Sequence, residues 1–226
     1  MKEVVLNRLF LSAVLVAVAL AMAPAVVAEE NMVEIEVELP EPFFGGTPLD
    51  YWSPNLEPPS FNDPDPFLAP EGTANVALNK EVTSSEPPYI GDLEQIVDGD
   101  KDYGRNSVVE LPEGLQWMQI DLEESHDIYA ITLWHFHEGS RVYFDIVVRI
   151  SDDPDFAEYE TVFNNDHDNS SGLGVGEDKE YIESHRGRVI EVDGVSGRYV
   201  RLYSNANTAN DMNHYIEVEV FGVPSS

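Results

Sequence analysis

Trp134-His135-Phe136-His137 sets two imidazoles two residues apart. On an extended strand residues i and i+2 share a face, so His135 and His137 point the same way. Such a pair would hold zinc if a third ligand converged on it, and no spacing in the chain clearly supplies one. The alternative is that both rings hydrogen-bond neighbours or a ligand hydroxyl. Arg141 follows at the tip between two expected strands. A polar loop, Asn205-Ala206-Asn207-Thr208-Ala209-Asn210-Asp211-Met212-Asn213-His214, lies between two others. Asn, Arg and His supply the paired donors and acceptors that sugar hydroxyls need. Trp134 or Tyr215 would add an aromatic face for C–H packing. His135, His137, Arg141, Asn207, Asn210, Asn213 and His214 are therefore the candidate ligand-binding residues. For each Asn a structural role competes, because Asn favours turns and bonds its own loop backbone.

Asp98-Gly99-Asp100-Lys101-Asp102 has the makings of a calcium loop, since Ca²⁺ wants six to eight hard oxygens and a Gly turn lets them converge. It is not an EF-hand: the positions that would need Gly and Glu hold Tyr103 and Val109. An Asp-Gly pair is also simply a turn. In the second acidic loop, Asp166, Asp168, Ser170 and Glu177 sit at EF-hand offsets. Ser171 stands where Gly is required, and the loop is expected to be a solvated, glycine-flexible surface segment. Catalytic signatures are missing: there is no Gly-x-Ser-x-Gly elbow, no His-Glu-x-x-His, no P-loop and no cysteine. A paired-carboxylate hydrolase would need two acids facing across a cleft about 5 to 10 Å wide, and nothing in the sequence marks one.

The elements that must position these residues read as strands. From Thr73 onward, short runs rich in Val, Ile, Tyr and Phe alternate with polar residues and are separated by Asp, Gly, Asn and Pro clusters. The expected strands are 75–82, 117–122, 128–136, 143–151, 159–164, 189–192, 199–204 and 215–222. No long, capped, 3.6-period helix appears. Eight such strands in about 150 residues predict an all-β fold, a jelly-roll-like antiparallel β-sandwich.

Three segments are distinguishable. In residues 1–28, Lys2 and Arg8 precede an apolar run from Phe10 to Ala23, and Val26-Val27-Ala28 ends it. This layout predicts a secretory signal peptide, hence a secreted or periplasmic protein. The run is 14 residues long, against about 20 needed to span hydrocarbon. Residues 29–72 contain 11 acidic residues, nine prolines and neither Lys nor Arg. Such composition predicts an extended strap without regular structure. Its aromatic residues, including Tyr51, Trp52, Phe61 and Phe67, predict partial docking on the domain behind it. Val33, Ile35, Val37 and Leu39 alternate with Glu and mark a weak strand. Residues 73–226 form the folded domain.

The net charge is −31, from 43 acidic and 12 basic residues among 226. Such a surface repels phosphate backbones and anionic lipid, which argues against nucleic acid as a partner, and it attracts divalent cations. With no cysteine, neither a disulfide nor a thiolate metal site is available.

The domain resembles the coagulation factor 5/8 type C, or discoidin, family. The phrases that carry the resemblance, in order, are Asn75-Val76-Ala77 through Lys80 to Val82-Thr83, then Val97-Asp98-Gly99-Asp100, then Trp117-Met118-Gln119-Ile120-Asp121-Leu122. Ser151-Asp152-Asp153, Arg198-Tyr199-Val200-Arg201-Leu202 and Glu217-Val218-Glu219-Val220-Phe221-Gly222 follow. The family's Thr-x-Trp after the Asp-Gly turn is Ser107-Val108-Val109 here. The resemblance implies a β-sandwich binding module, for carbohydrate in many bacterial proteins and for lipid or protein elsewhere. It also implies a structural Ca²⁺ near the Asp-Gly turn, with Asp98, Asp100 and a last-strand Glu, Glu217, as ligands. The expected activity is non-catalytic recognition of glycan or another cell-surface ligand through loops at one end of the sandwich. A protein-binding adhesion or assembly module is the alternative, ahead of a glycoside- or ester-cleaving hydrolase.

Overall fold

A single antiparallel ribbon organises the domain. In the computed structural model, which describes residues 31–42, 51–104 and 106–225, strand β6 (Leu115–Trp134) runs beside β9 (Arg188–Asn205) along almost its whole length. The described residues all belong to one unit, Asn31–Ser226. The expected signal peptide, and Phe43 and Phe44 of the strap, lie outside them.

The ribbon has a break in its middle. Pairing runs from Leu115↔Asn205 to Asp121↔Tyr199, skips, and resumes at His126↔Gly197. Glu123 sits in the left-handed region, φ 71°, with its N–H capped by Asp121 Oδ1. Arg198 clamps the same place by donating from two nitrogens to the Asp121 carboxylate, both at 2.7 Å. Gly197 has no room for a side chain, since a Cβ there would lie 2.4 Å from Ile150 Cγ2. Four of the expected strands are thus two long ones that fold over at this break.

Each half of the ribbon carries its own flanking strands. The first half pairs with β4 (Glu81–Ser84) and with β7 (Val147–Ser151), which pairs in turn with β8 (Glu160–Asn164). The second half pairs with β11 (Glu217–Pro224), whose outer neighbour is β3 (Ala74–Asn75). One apolar cluster joins the inner faces: Met118, Ile120, Val148, Val200 and Leu202 from the first half, Ile131, Leu133, Ile190, Val218 and Val220 from the second. Residues from both halves in one dry core make the folded sheet a β-sandwich. A short pair, β5 (Val109–Leu111) with β10 (Asn213–Tyr215), and a 3-10 turn over Leu93–Val97 close its end. There is no α-helix among the described residues, and no helix there is long and apolar enough to cross a membrane.

The segment 29–72 was expected to lack regular structure, and at two places it does not. β1 (Met32–Ile35) pairs antiparallel with β2 (Phe67–Pro70). The alternation of Val33 and Ile35 with Glu is therefore that of a true strand, and its partner lies within the same segment. Phe67 and Ala69 are buried against Ala130, with Ile35, Val37 and Phe221 packed around them. Val37 and Leu39 also pack on the Trp134 and Ile216 cluster. This outer cover explains why the second half of β6, Ile128-Tyr129-Ala130-Ile131-Thr132-Leu133-Trp134, is apolar on both faces instead of alternating.

Candidate loop-end binding site

Folding the ribbon at its middle returns both of its ends to one end of the sandwich. Ser204, near the end of β9, bonds the Tyr215 hydroxyl at 3.0 Å, and Tyr215 lies 5.0 Å from the ring of His135, just beyond β6. Of the candidate ligand-binding residues, His135, Arg141, His214 and the three asparagines lie at this end, in different roles, while His137 turns to the Lys101 carbonyl.

His214 is the hub. Its Nε2 lies 3.0 Å from Glu110 Oε2, and its Nδ1 lies 3.1 Å from the Tyr143 hydroxyl. A carboxylate only accepts, so Nε2 carries the proton and Nδ1 accepts from Tyr143. Burial, then the Arg141 guanidinium and the nearby His135, pull the His214 pKa down to about 4, which leaves the ring neutral. Arg141 reaches within 3.5 Å of the same Nδ1 and lays its guanidinium over the Phe136 ring, 4.7 Å from the centroid. A half-buried guanidinium stacked on an aromatic face keeps its N–H donors in a rigid planar fork.

Two asparagines turn inward. Asn213 is fully buried: its Oδ1 accepts from Ser204 and from the Ala206 N–H, and its Nδ2 donates to the carbonyls of Pro112 and Gly114. Asn207 caps its own loop, accepting from the N–H groups of Ala209 and Asn210 and donating to Asn210 Oδ1 and the Met212 carbonyl. Their amides shape the loop. Asn210, which is exposed, is the loop amide that faces solvent.

The two strand-end histidines are buried. His135 stacks on Tyr143, centroids 4.2 Å apart at 15°, and its Nδ1 lies 3.0 Å from Glu183 Oε2. His137 donates from Nε2 to the Lys101 carbonyl at 3.1 Å, and burial holds its pKa below the usual imidazole range. Zinc would need a third ligand close to both; among the described residues neither belongs to a set of three ligand atoms within 4.8 Å of one another.

At the Asp98-Gly99-Asp100 turn, Gly99 adopts φ +88° and donates its N–H to Glu217, 3.2 Å from each carboxylate oxygen. Glu217 is fully buried, and that burial, with Glu219 and Asp98 nearby, pushes its pKa up to about 9. Asp98 caps the Asp100 N–H, while Asp100 caps that of Asp102 and accepts from Ser107 at 2.9 Å. The three carboxylates do not gather within 4.8 Å of one another, so Glu217 alone looks inward at the turn. The donors are all oxygen, which suits a hard cation, and a buried carboxyl raised this far is one that a divalent ion would ionise. Lys101 already pairs with the neighbouring Glu219 at 2.7 Å.

The one set of three acids that does gather, among the described residues, is Asp145, Asp166 and Asp168. Asp166 is buried, with its oxygens held by the N–H groups of Ser170 and Ser171. Asp145 arrives from the loop before β7, accepts from Asn205 and Ser170, and burial raises its pKa. It lies 21 residues from Asp166, so spacing in the sequence gave no sign of the meeting. Glu110, Phe136 and Tyr143 were likewise not among the expected site residues; only their place beside His214 and Arg141 reveals them.

The profile of the F5/8 type C domain family matches residues 81–218, well over half of the chain. No protein of curated function matches by sequence. Among solved structures, a family 89 glycoside hydrolase from Clostridium perfringens, in complex with GlcNAc-alpha-1,4-galactose, superposes with a TM-score of 0.50 at 17% identity. That match covers 66% of this chain and 15% of the hydrolase. A chitosan-binding module of a chitosanase/glucanase from Paenibacillus sp. IK-5 matches over 66% of this chain and 99% of its own, with 19% identity and a TM-score of 0.49. A fucose-binding module from Streptococcus pneumoniae matches over 65% and 96%, with 23% identity and a TM-score of 0.45. At 17% identity the likeness to the hydrolase is one of fold.

Proposed function

The chain belongs to the F5/8 type C domain family, and from that membership we propose that it is an exported, non-catalytic module that recognises carbohydrate through the loops at one end of its sandwich. One observation carries the reading: Arg141, stacked on Phe136, converges with the neutral ring of His214 and the carboxylate of Glu110 at that end. A guanidinium offers paired donors, a carboxylate offers acceptors, and the exposed Asn210 amide offers N–H donors, its Oδ1 already accepting from Asn207 and the Met212 N–H. The Phe136 ring supplies an apolar surface for a sugar's C–H groups. No step of bond cleavage is asked of these residues.

A structural Ca²⁺ at the neighbouring turn is part of the proposal. Glu217 and carbonyls of the turn would hold it, joined by Asp98 and Asp100 once these leave the N–H caps that keep the three carboxylates apart; the ion's role is to neutralise a buried carboxyl and fix the loop. Binding on a glycan array, repeated as an affinity gel with calcium and with chelator, tests the function. Retention of at least one glycan that is lost in Arg141→Ala supports it. No retention under calcium, or retention indifferent to Arg141, overturns it.

A further inference from the structure

A buried polar atom without a partner costs about 1–3 kcal/mol, so a native fold holds few of them and seldom gathers them together. Here five surround one cavity. Among the described residues, His137 Nδ1, Tyr181 Oη, Glu183 Oε1, His185 Nδ1 and Arg188 Nε are buried without a hydrogen-bond partner, and all five residues line a space of about 650 Å³. His137, Glu183, Tyr181 and His185 expose only 1%, 3%, 5% and 7% of their surfaces. The opposite wall is the proline-rich strap, Glu57 to Asp65, with the Phe61 ring at the rim. We propose that this cavity is a second binding site, adjoining the loop end where Glu183 donates its N–H to the Arg141 carbonyl at 2.7 Å, and that it takes a neutral, hydroxyl-rich ligand the size of a mono- or disaccharide.

The hydrogen-bond roles of the free atoms specify that chemistry. His137 donates from Nε2 to the Lys101 carbonyl, so in the neutral ring Nδ1 is a bare lone pair. Glu183 accepts through Oε2 from His135, which leaves Oε1 as a second acceptor. Tyr181 Oη and Arg188 Nε are donors. Acceptors and donors side by side on one wall match hydroxyl groups, each of which can do both. A metal ion fits poorly, because His137, Glu183 and His185 do not bring ligand atoms within 4.8 Å of one another. An anion would face the buried Glu183 and the strap's Glu57, Asp63 and Asp65. The volume falls within the range of about 300–1,000 Å³ typical of small-molecule sites.

The strap is fastened as a fixed wall. Arg188 donates to Glu57, 3.0 Å from each oxygen. Arg186 donates to Asp63 at 3.1 Å and to the Phe61 carbonyl at 2.9 Å. Pro58, Pro59 and Pro64 have no N–H to offer, so the polar recognition comes from the 181–188 side.

The test is an NMR titration of the full chain with galactose and, separately, N-acetylglucosamine, in wild type, Arg141→Ala, Phe61→Ala and Glu183→Gln. Phe61 is 74% exposed, so its replacement leaves the fold intact. The expected result is saturable shift changes at Phe61, Tyr181 and His185 that persist in Arg141→Ala and weaken about tenfold or more in affinity in the other two variants. Glu183→Gln exchanges an acceptor for a donor; should it fail to fold, Phe61→Ala decides. Neither sugar moving these resonances, shifts unchanged in Phe61→Ala, or shifts lost in Arg141→Ala would each overturn the proposal. Shifts at His214 alone would leave the loop-end function standing without this second site.

Discussion

The buried carboxylate of Glu217 faces the backbone N–H of Gly99, 3.2 Å from each oxygen, across 118 residues of chain. This contact ties β11, the last strand in chain order, to the turn that carries the sequence's one Asp-Gly-Asp. One N–H is a weak counterweight to a charge taken wholly out of water. The relationship makes calcium dependence measurable.

Glu217 ionises near 4.5 when unfolded and near 9 when folded. Between those values the folded state holds the extra proton, so this group's contribution is full below the lower value and drains away as pH rises towards the upper. The loss at pH 7 is of order 3 kcal/mol. In chelator, Tm is expected to fall from pH 5 to pH 9; with millimolar calcium it should be flatter, because the ion stabilises the ionised form. The calcium-induced rise in Tm therefore grows with pH. Glu217→Gln should remove both the pH slope and the calcium response, and a calcium response that survives in that variant places the ion elsewhere.

His214 has the opposite sign. Its pKa drops from 6.5 to about 4 on folding, so its contribution is full above 6.5 and is lost as pH falls through that window. The full loss is about 3 kcal/mol. Thermal unfolding of wild type against His214→Gln, from pH 7 to pH 4, should show acid destabilisation in the wild type that is blunted in the variant. Glycan retention should weaken only as pH nears 4, where the folded-state ring protonates, can no longer accept from Tyr143 and repels Arg141.

The Arg141 guanidinium lies over Phe136 and reaches His214. Arg141→Ala should cost about 0.5–1 kcal/mol of stability from the lost stacking, while removing glycan retention. Arg141→Lys keeps the charge without the planar fork and is expected not to restore binding. Retention by the lysine variant equal to wild type would show that charge alone is sufficient.

Much of the sandwich was legible because alternation marks a half-buried strand whatever it pairs with. Met118, Ile120 and Leu122 point inward as their spacing required. The long ribbon was not legible: Glu123 and Gly197 look like strand ends, and only the close packing of Ile150 and the Arg198 clamp make them a fold within one strand. The site was legible as a region more than as a set of side chains. Arg141 and His214 do meet, but Asn207 and Asn213 bond the loop itself, a distinction that depends on which way each amide turns. The meeting of Asp145 with Asp166, like that of Glu110 with His214, is made by tertiary contact alone.

The strap's attachment gives a last expectation. Phe67 is 1% exposed and packs edge-on against Phe221 at 5.3 Å, with Ala69 and Ala130 beside it. Removing that ring leaves a void under a two-stranded ribbon that has no other sheet partner among the described residues, so Phe67→Ala should cost about 3–5 kcal/mol by denaturant unfolding. Tyr51→Phe is the milder control, since it loses a single half-buried bond from its hydroxyl to Glu180, about 1 kcal/mol, while keeping its ring against Phe144. If the strap were a loosely held linker, both variants would unfold with the wild type. A large loss in the first and a small one in the second would show that residues ahead of the family match are part of the domain's folded core.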